Sequence, residues 1–102
     1  MPKKFLKKQT ISFRKRVYEI VEGVPKGKVL TYKEVAELTG KAHAWRAVGN
    51  ILSKNKNSKI PCHRVIRSNM EVGKYNKGMK KKISLLRKEG VVIKKGKVIR
   101  CQ

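Results

Sequence analysis

The sequence predicts a mainly α domain with minor β structure, a small single unit built around a winged helix-turn-helix-like arrangement. Three observations predict it. Two short amphipathic stretches, near 31–38 and 43–54, follow one another across a glycine-containing turn, the spacing of a helix-turn-helix. Apolar residues recur at intervals of three and four both before and after that pair. The end of the chain, 91–99, is two β-branched runs around Lys94-Lys95-Gly96, the pattern of a small hairpin. With 102 residues the chain holds one domain and excludes a two-domain molecule with a deep interdomain cleft.

Taken in order, residues 1–11 are lysine-rich and lack the apolar run of a secretory signal, so they read as a basic arm ahead of a domain over 12–102. A helix starts after Ser12, with Phe13, Val17, Ile20, Val21 and Val24 on its apolar side, and Gly23, Pro25 and Gly27 end it. Val29 and Leu30 form a short apolar bridge. Thr31 and Glu34 have the spacing of a capping box at the start of the next helix. Val35, Ala36 and Leu38 supply its apolar side, and Gly40 stops it. The second helix of the pair runs from about His43 or Ala44 to Lys54. Its inward side is Ala44 or Ala47 with Val48, Ile51 and Leu52. Its outward side is Arg46, Gly49, Asn50, Ser53 and Lys54, and the small Ala47 and Gly49 permit a close backbone approach. Residues 55–59 and 68–77 read as loops around the compact apolar stretch 60–66. A last helix over Lys80–Lys88 turns Met79, Ile83, Leu85 and Leu86 inward, with Gly90 just beyond its end.

Charge narrows the partners. There are 28 Lys plus Arg against 6 Asp plus Glu, a formal net charge of +22. A polyanion accounts for this, nucleic acid first and an anionic membrane surface second. The competing account is a lysine-rich composition kept for solubility or heat tolerance. No run approaches the ~20 apolar residues of a membrane span. In a helix-turn-helix the second helix meets DNA, which points Arg46, Gly49 and Asn50 at a duplex.

Chemistry concentrates at Pro61-Cys62-His63-Arg64. An imidazole next to a thiol and a guanidinium two residues on are groups that stabilise a thiolate, and a preceding proline fixes the backbone. The alternative is a half-buried structural cysteine. Two cysteines and two histidines without paired spacing predict no metal site and no cofactor. Cys101, beside the terminus, reads as inert, and without an export signal both thiols are expected free in an intracellular setting, cytoplasmic or associated with the nucleoid or nucleus.

Ile60-Pro-Cys-His-Arg-Val-Ile66 resembles the active-site motif of the O6-alkylguanine-DNA alkyltransferases. The likeness extends in order over 13–18, Gly27 to Ala36, Arg46-Ala-Val-Gly-Asn50, Val72 to Gly78 and Leu85-Leu-Arg-Lys-Glu-Gly90, together covering about 12–92. The resemblance implies a protein that binds duplex DNA from the minor-groove side as a monomer, flips O6-alkylguanine out and moves the alkyl group irreversibly to a cysteine. It makes Cys62 the acceptor, His63 the group that takes its proton through a water, and Glu89 the carboxylate that orients the histidine. On the same likeness Asn55 would brace the active-site turn, and Tyr32 would press on the target phosphate and donate a hydrogen bond to the departing guanine. Arg46 would enter the stack, Ala47, Gly49 and Asn50 would lie against DNA, and Val65, Tyr75 and Asn76 would line the base pocket.

Four departures from the family pattern stand out. Only a ten-residue basic tail precedes the core, where a further domain is common. The segment from Asn55 to Cys62 is one residue short. Lys77 replaces a glycine. Trp45 stands where a small residue is usual and is expected inside the core, with a stacking role against DNA as the other option. The resemblance also offers a second function, that of a non-enzymatic lesion binder recruiting other repair factors; such proteins typically replace the cysteine. A generic architectural DNA binder would not need the Cys–His–Glu set.

Overall fold

In the computed structural model the described residues are 12–100; the expected basic arm over 1–11 and Cys101 lie outside them. The elements run α1 (Phe13–Glu22), β1 (Leu30–Thr31), α2 (Tyr32–Leu38), a 3₁₀ turn (Ala42–Ala44), α3 (Trp45–Ser53), a second 3₁₀ turn (Cys62–Arg64), β2 (Val65–Ile66), α4 (Met79–Lys88), β3 (Val92–Lys94) and β4 (Lys97–Ile99). The fold is mainly α, with α2 and α3 as the helix-turn-helix and β3–β4 as the hairpin.

Local chemistry sets the helix ends. The Ser12 side chain accepts the Lys15 amide at the start of α1. At α2 the Glu34 amide donates to Thr31 Oγ1 at 3.1 Å and the Thr31 amide donates to Glu34 Oε1 at 2.9 Å, completing the capping box. At the end of α4 the Gly90 amide reaches the Arg87 carbonyl and the Val91 amide reaches that of Leu86, a Schellman closure. Gly90 takes φ 94°, which a side chain would oppose.

Two apolar clusters form the interior. Val17, Val21, Val35, Ala36, Val48, Leu52, Ile60, Cys62 and Val65 make the helical one. Val29, Ile66, Val72, Leu86, Val91, Ile93 and Val98 join α4 to the hairpin. Burial of a whole Val or Leu side chain stabilises by roughly 1.5–3 kcal/mol, so each cluster is substantial for a domain of this size. They meet at a parallel pair, β1 on β2, with Leu30 opposite Val65 and Thr31 opposite Ile66. Successive strand residues point to opposite sides. Val65 therefore enters the helical cluster and Ile66 the hairpin cluster, and the turn bearing Cys62 is pinned immediately before both.

The structure corrects several expectations. Leu30 of the apolar bridge and its neighbour Thr31 pair with Val65 and Ile66, the end of the stretch 60–66, in a sheet that the sequence reading did not include. Leu38 is 61 % exposed, because Val35, Ala36 and the buried Thr39 already fill the inward side of the short α2. Met79 is 51 % exposed at the first turn of α4, and Lys82 takes the inward place one turn on, with no exposed surface. Trp45 is 45 % exposed and not in the core; it begins α3, while Val48 and Leu52 further along fill the interior. No described helix is long and apolar enough to cross a membrane.

The hairpin is closed by Lys95 and Gly96, both at positive φ (54° and 78°), the two-residue turn whose twist matches that of the strands. Its far end is fastened to the helix-turn-helix. Arg100 donates from Nη2 to Glu34 Oε1 at 2.8 Å and from Nη1 to Oε2 at 2.9 Å, so the carboxylate that caps α2 also anchors the hairpin.

Candidate active site

An open cleft of about 1150 Å³ lies between α3 and the segment 67–79, with the hairpin tip at one end. Arg46, Gly49, Asn50 and Ser53 of α3 form one wall, Val72 to Asn76 the other, and Tyr32 and Cys62 also line it. The cleft thus touches both parts of the fold: the second helix of the helix-turn-helix on one side and the turn bearing Cys62 on the other.

Cys62 is 8 % exposed. Burial pushes its thiol above the ordinary value, while a hydrogen bond from Asn55 and the charge of Lys82 pull the other way. Asn55 Nδ2 donates to Cys62 Sγ at 3.0 Å and also to the Asn57 carbonyl. The Asn57 amide returns a bond to Asn55 Oδ1, so the side chain is held at both ends. Asn76, across the cleft, donates to the Asn55 carbonyl at 2.9 Å. The short connection from Asn55 to Cys62 therefore keeps the asparagine on the sulfur.

Behind the turn, His63 Nε2 lies 2.9 Å from Glu89 Oε2. An ionised carboxylate only accepts, so Nε2 is the donor, and the neutral form of the ring keeps its lone pair on Nδ1. Arg64 grips the same carboxylate, Nε to Oε1 at 3.0 Å and Nη2 to Oε2 at 2.8 Å, and its Nη1 donates to the Val24 carbonyl at 2.6 Å. Burial raises the Glu89 carboxyl, yet the bonds from Arg64 and His63 outweigh it and hold the group below its ordinary value. Gly27 makes room for this arrangement: at φ 84°, a Cβ there would meet the Glu89 carbonyl oxygen at 3.2 Å. Arg64 was expected to act on the thiol, and the structure instead spends its guanidinium on Glu89 and the end of α1.

The missing electrostatic partner is Lys82. Its ammonium donates to the Lys74 carbonyl at 3.0 Å and sits 5.7 Å from the centre of the Tyr32 ring. Burial lowers it to about 8, and the charge of Cys62 opposes that shift. Gly73, at φ 81°, lets the loop close over it; a Cβ there would lie 3.0 Å from Arg67 Cγ and 3.8 Å from Lys82 Nζ. The available signal was spacing: Lys82 precedes the buried Leu86 by four residues, on the inward side of α4.

Burial also keeps the Tyr32 hydroxyl protonated, reinforced by Cys62 and opposed by Arg67. The Tyr75 phenol is raised in the same way, by burial first and then Cys62. Its ring meets His63 edge-on at 6.4 Å. Of the residues expected at the site, Cys62, Tyr32, Trp45, Arg46, Gly49, Asn50, Tyr75 and Asn76 line the cleft. Asn55, His63 and Glu89 support it from behind. Ala47 is half-buried on α3 away from the lining. Val65 is fully buried in the helical cluster, because strand pairing turns it inward, so its side chain backs the site and does not line it. Among the described residues no group of three His, Cys, Asp or Glu side chains is placed to hold a metal ion.

Comparison with known proteins gives a consistent result. The family model described as the DNA-binding domain of 6-O-methylguanine DNA methyltransferase matches residues 12–91. A methylated-DNA–protein-cysteine methyltransferase of Saccharolobus islandicus is 48 % identical over 86 residues, 83 % of this chain and 55 % of that protein. One of Metallosphaera sedula is 49 % identical over 86 residues, 83 % and 53 %. The chain spans about half the length of these curated relatives. Among solved structures, Mycobacterium tuberculosis OGT in complex with DNA superposes with a TM-score of 0.74 at 34 % identity, covering 78 % of this chain and 49 % of that one. S. pombe Atl1 in complex with damaged DNA containing O6-carboxymethylguanine superposes with a TM-score of 0.73 at 33 % identity, covering 80 % and 79 %.

Proposed function

The chain belongs to the 6-O-methylguanine DNA methyltransferase family through its DNA-binding domain, and from that membership we propose that it repairs alkylated duplex DNA by taking the alkyl group onto Cys62. The observation that carries this reading is the placement of Cys62 in the cleft beside the helix-turn-helix, bonded to Asn55 and backed by the His63–Glu89 pair.

In the proposed reaction Arg46, Asn50 and the backbone around Ala47 and Gly49 meet the duplex from the minor-groove side, and Arg46 fills the gap left when O6-alkylguanine swings into the cleft. Unstacking costs a few kcal/mol and is smallest for a damaged, poorly paired base. Tyr75 and Asn76 contact the base, with Val65 behind them. The buried thiol is protonated at neutral pH, so a base is needed: its proton passes through a water to His63 Nδ1, and Glu89 balances the imidazolium. The sulfur attacks the alkyl carbon, the S–C bond forms and the C–O6 bond breaks. Tyr32 donates a hydrogen bond to the departing guanine, which leaves with the C–O6 electron pair and takes a proton from solvent as His63 returns its own. Lys82 steadies the thiolate as it forms. A thioether has no hydrolytic route back to the thiol, so each chain reacts once.

The second reading is a lesion binder that performs no transfer. It is supported by the likeness to Atl1 in complex with damaged DNA, with a TM-score of 0.73 at 33 % identity. Digestion of an O6-methylguanine duplex to nucleosides after incubation separates the two. Conversion of one O6-methylguanine to guanine per protein chain supports transfer. Retention of the lesion in a tight complex overturns it.

A further inference from the structure

Trp45 is the chain's single tryptophan, and it is on the surface. It lines the cleft that reaches Cys62 and also a small adjoining groove formed with Tyr32, Lys33, Arg67 and Ser68. The Arg46 guanidinium lies over its ring, 5.0 Å from the centroid. Among the described residues no carboxylate pairs with Arg46. An indole ringed by Arg46, Lys33 and Arg67 is the combination that single-stranded and unstacked nucleic acid selects: a π-face for a base and cations for the backbone. Arg67 also makes a long, exposed contact of 3.4 Å with Glu71, which leaves the guanidinium near the groove.

We propose that Trp45 is a second stacking residue for duplex DNA, which shelves the Arg46 guanidinium in the free protein and exchanges it for a nucleobase face in the complex. The inference rests on the reading of Arg46 as the residue that enters the stack. A cation held over an exposed ring is held weakly, so it can leave. Its departure uncovers the indole at the mouth of the cleft, beside the gap that the flipped nucleotide leaves, where an unstacked neighbouring base needs a new partner. Specificity for a flipped lesion then draws on two side chains of one helical turn: Arg46 fills the gap and Trp45 caps the base next to it.

Because no other tryptophan is present, its fluorescence reports on Trp45 alone. The intact protein is titrated with a duplex carrying one O6-methylguanine and with the same duplex unmodified, while Trp45→Phe and Trp45→Leu are compared by binding. Strong quenching of the emission by the modified duplex is expected. So is binding about ten-fold weaker for Trp45→Leu, which keeps apolar bulk without a π-face, with near wild-type affinity for Trp45→Phe. Unmoved emission at saturating modified duplex, or equal affinities for Trp45→Leu and wild type, overturns the proposal. If the protein prefers the modified duplex and removes its methyl group while the emission stays unmoved, the proposed repair function stands and this inference alone falls. If the protein shows neither preference nor transfer, the repair function fails and the inference falls with it.

Discussion

Cys62 sits in apolar surroundings that favour the neutral thiol, and the side chains around it act against that preference to different extents. Asn55 contributes a hydrogen bond to the sulfur itself, so Asn55→Ala should raise the thiol further and move the alkaline rise of the transfer rate to higher pH, measured as single-turnover rate against pH. Glu89→Gln keeps the shape and removes the charge. It should slow transfer by ~10²-fold, the scale of a displaced general base, and destabilise by about 1.5–3 kcal/mol because Arg64 loses a charged acceptor. Lys82 gives the sharpest contrast. Its folded value of about 8 lies below the ordinary 10.5, so the folded state carries fewer protons there than the unfolded chain between those limits. Below pH 8 the buried charge is a penalty of roughly 3–4 kcal/mol at 1.36 kcal/mol per pKa unit. It is relieved as pH rises toward 10. Lys82→Met should therefore raise Tm at pH 7, lose that advantage by pH 10, and still transfer more slowly. Cys62, His63 and Glu89 were legible from an ordered set of motifs. Lys82 was not read, because its one mark of burial, a place one turn before Leu86, stands against the usual exposure of lysine in a chain with 28 basic residues.

At the level of elements, helices were readable where a stripe and a cap coincide, as at Ser12 and at Thr31 with Glu34. The parallel β1–β2 pair was invisible. Two-residue strands have no period to detect, and their partners are 35 positions apart (65 − 30). The exposure of Trp45 was likewise decided by where α3 starts against the core, which pattern alone does not fix. The hairpin tip invites a test. Lys95 holds φ 54°, which asparagine tolerates better than lysine. Lys95→Asn should stabilise by about 0.5–1 kcal/mol in denaturant unfolding, and a loss of stability would show that Lys95 makes compensating contacts at the cleft. Thr31→Ala removes one half of the capping box and should cost about 1 kcal/mol.

For the whole molecule, charge acts in two directions. A net +22 repels itself, so added salt should raise Tm while lowering DNA affinity by orders of magnitude between about 50 and 200 mM. The 28 Lys and Arg residues overstate the cations free to meet phosphate: Lys82 is buried, Arg64 is committed to Glu89 and Arg100 to Glu34. Those last two pairs also set acid behaviour. The Arg100 fork is the main cause that lowers the Glu34 carboxyl, and both carboxyls lie below their ordinary 4.5. Their contribution is complete above about pH 4.5 and is lost as pH falls through the folded values, so Tm should hold from pH 7 to 5 and drop below that. The central proposal is that Cys62 accepts an alkyl group from DNA, and peptide mass after incubation with an O6-methylguanine duplex tests it most directly. One added CH₂ per chain is expected on the peptide containing Cys62, and none in Cys62→Ala. Tight binding to the lesion with Cys62 unmodified, and unchanged binding by Cys62→Ala, would contradict it.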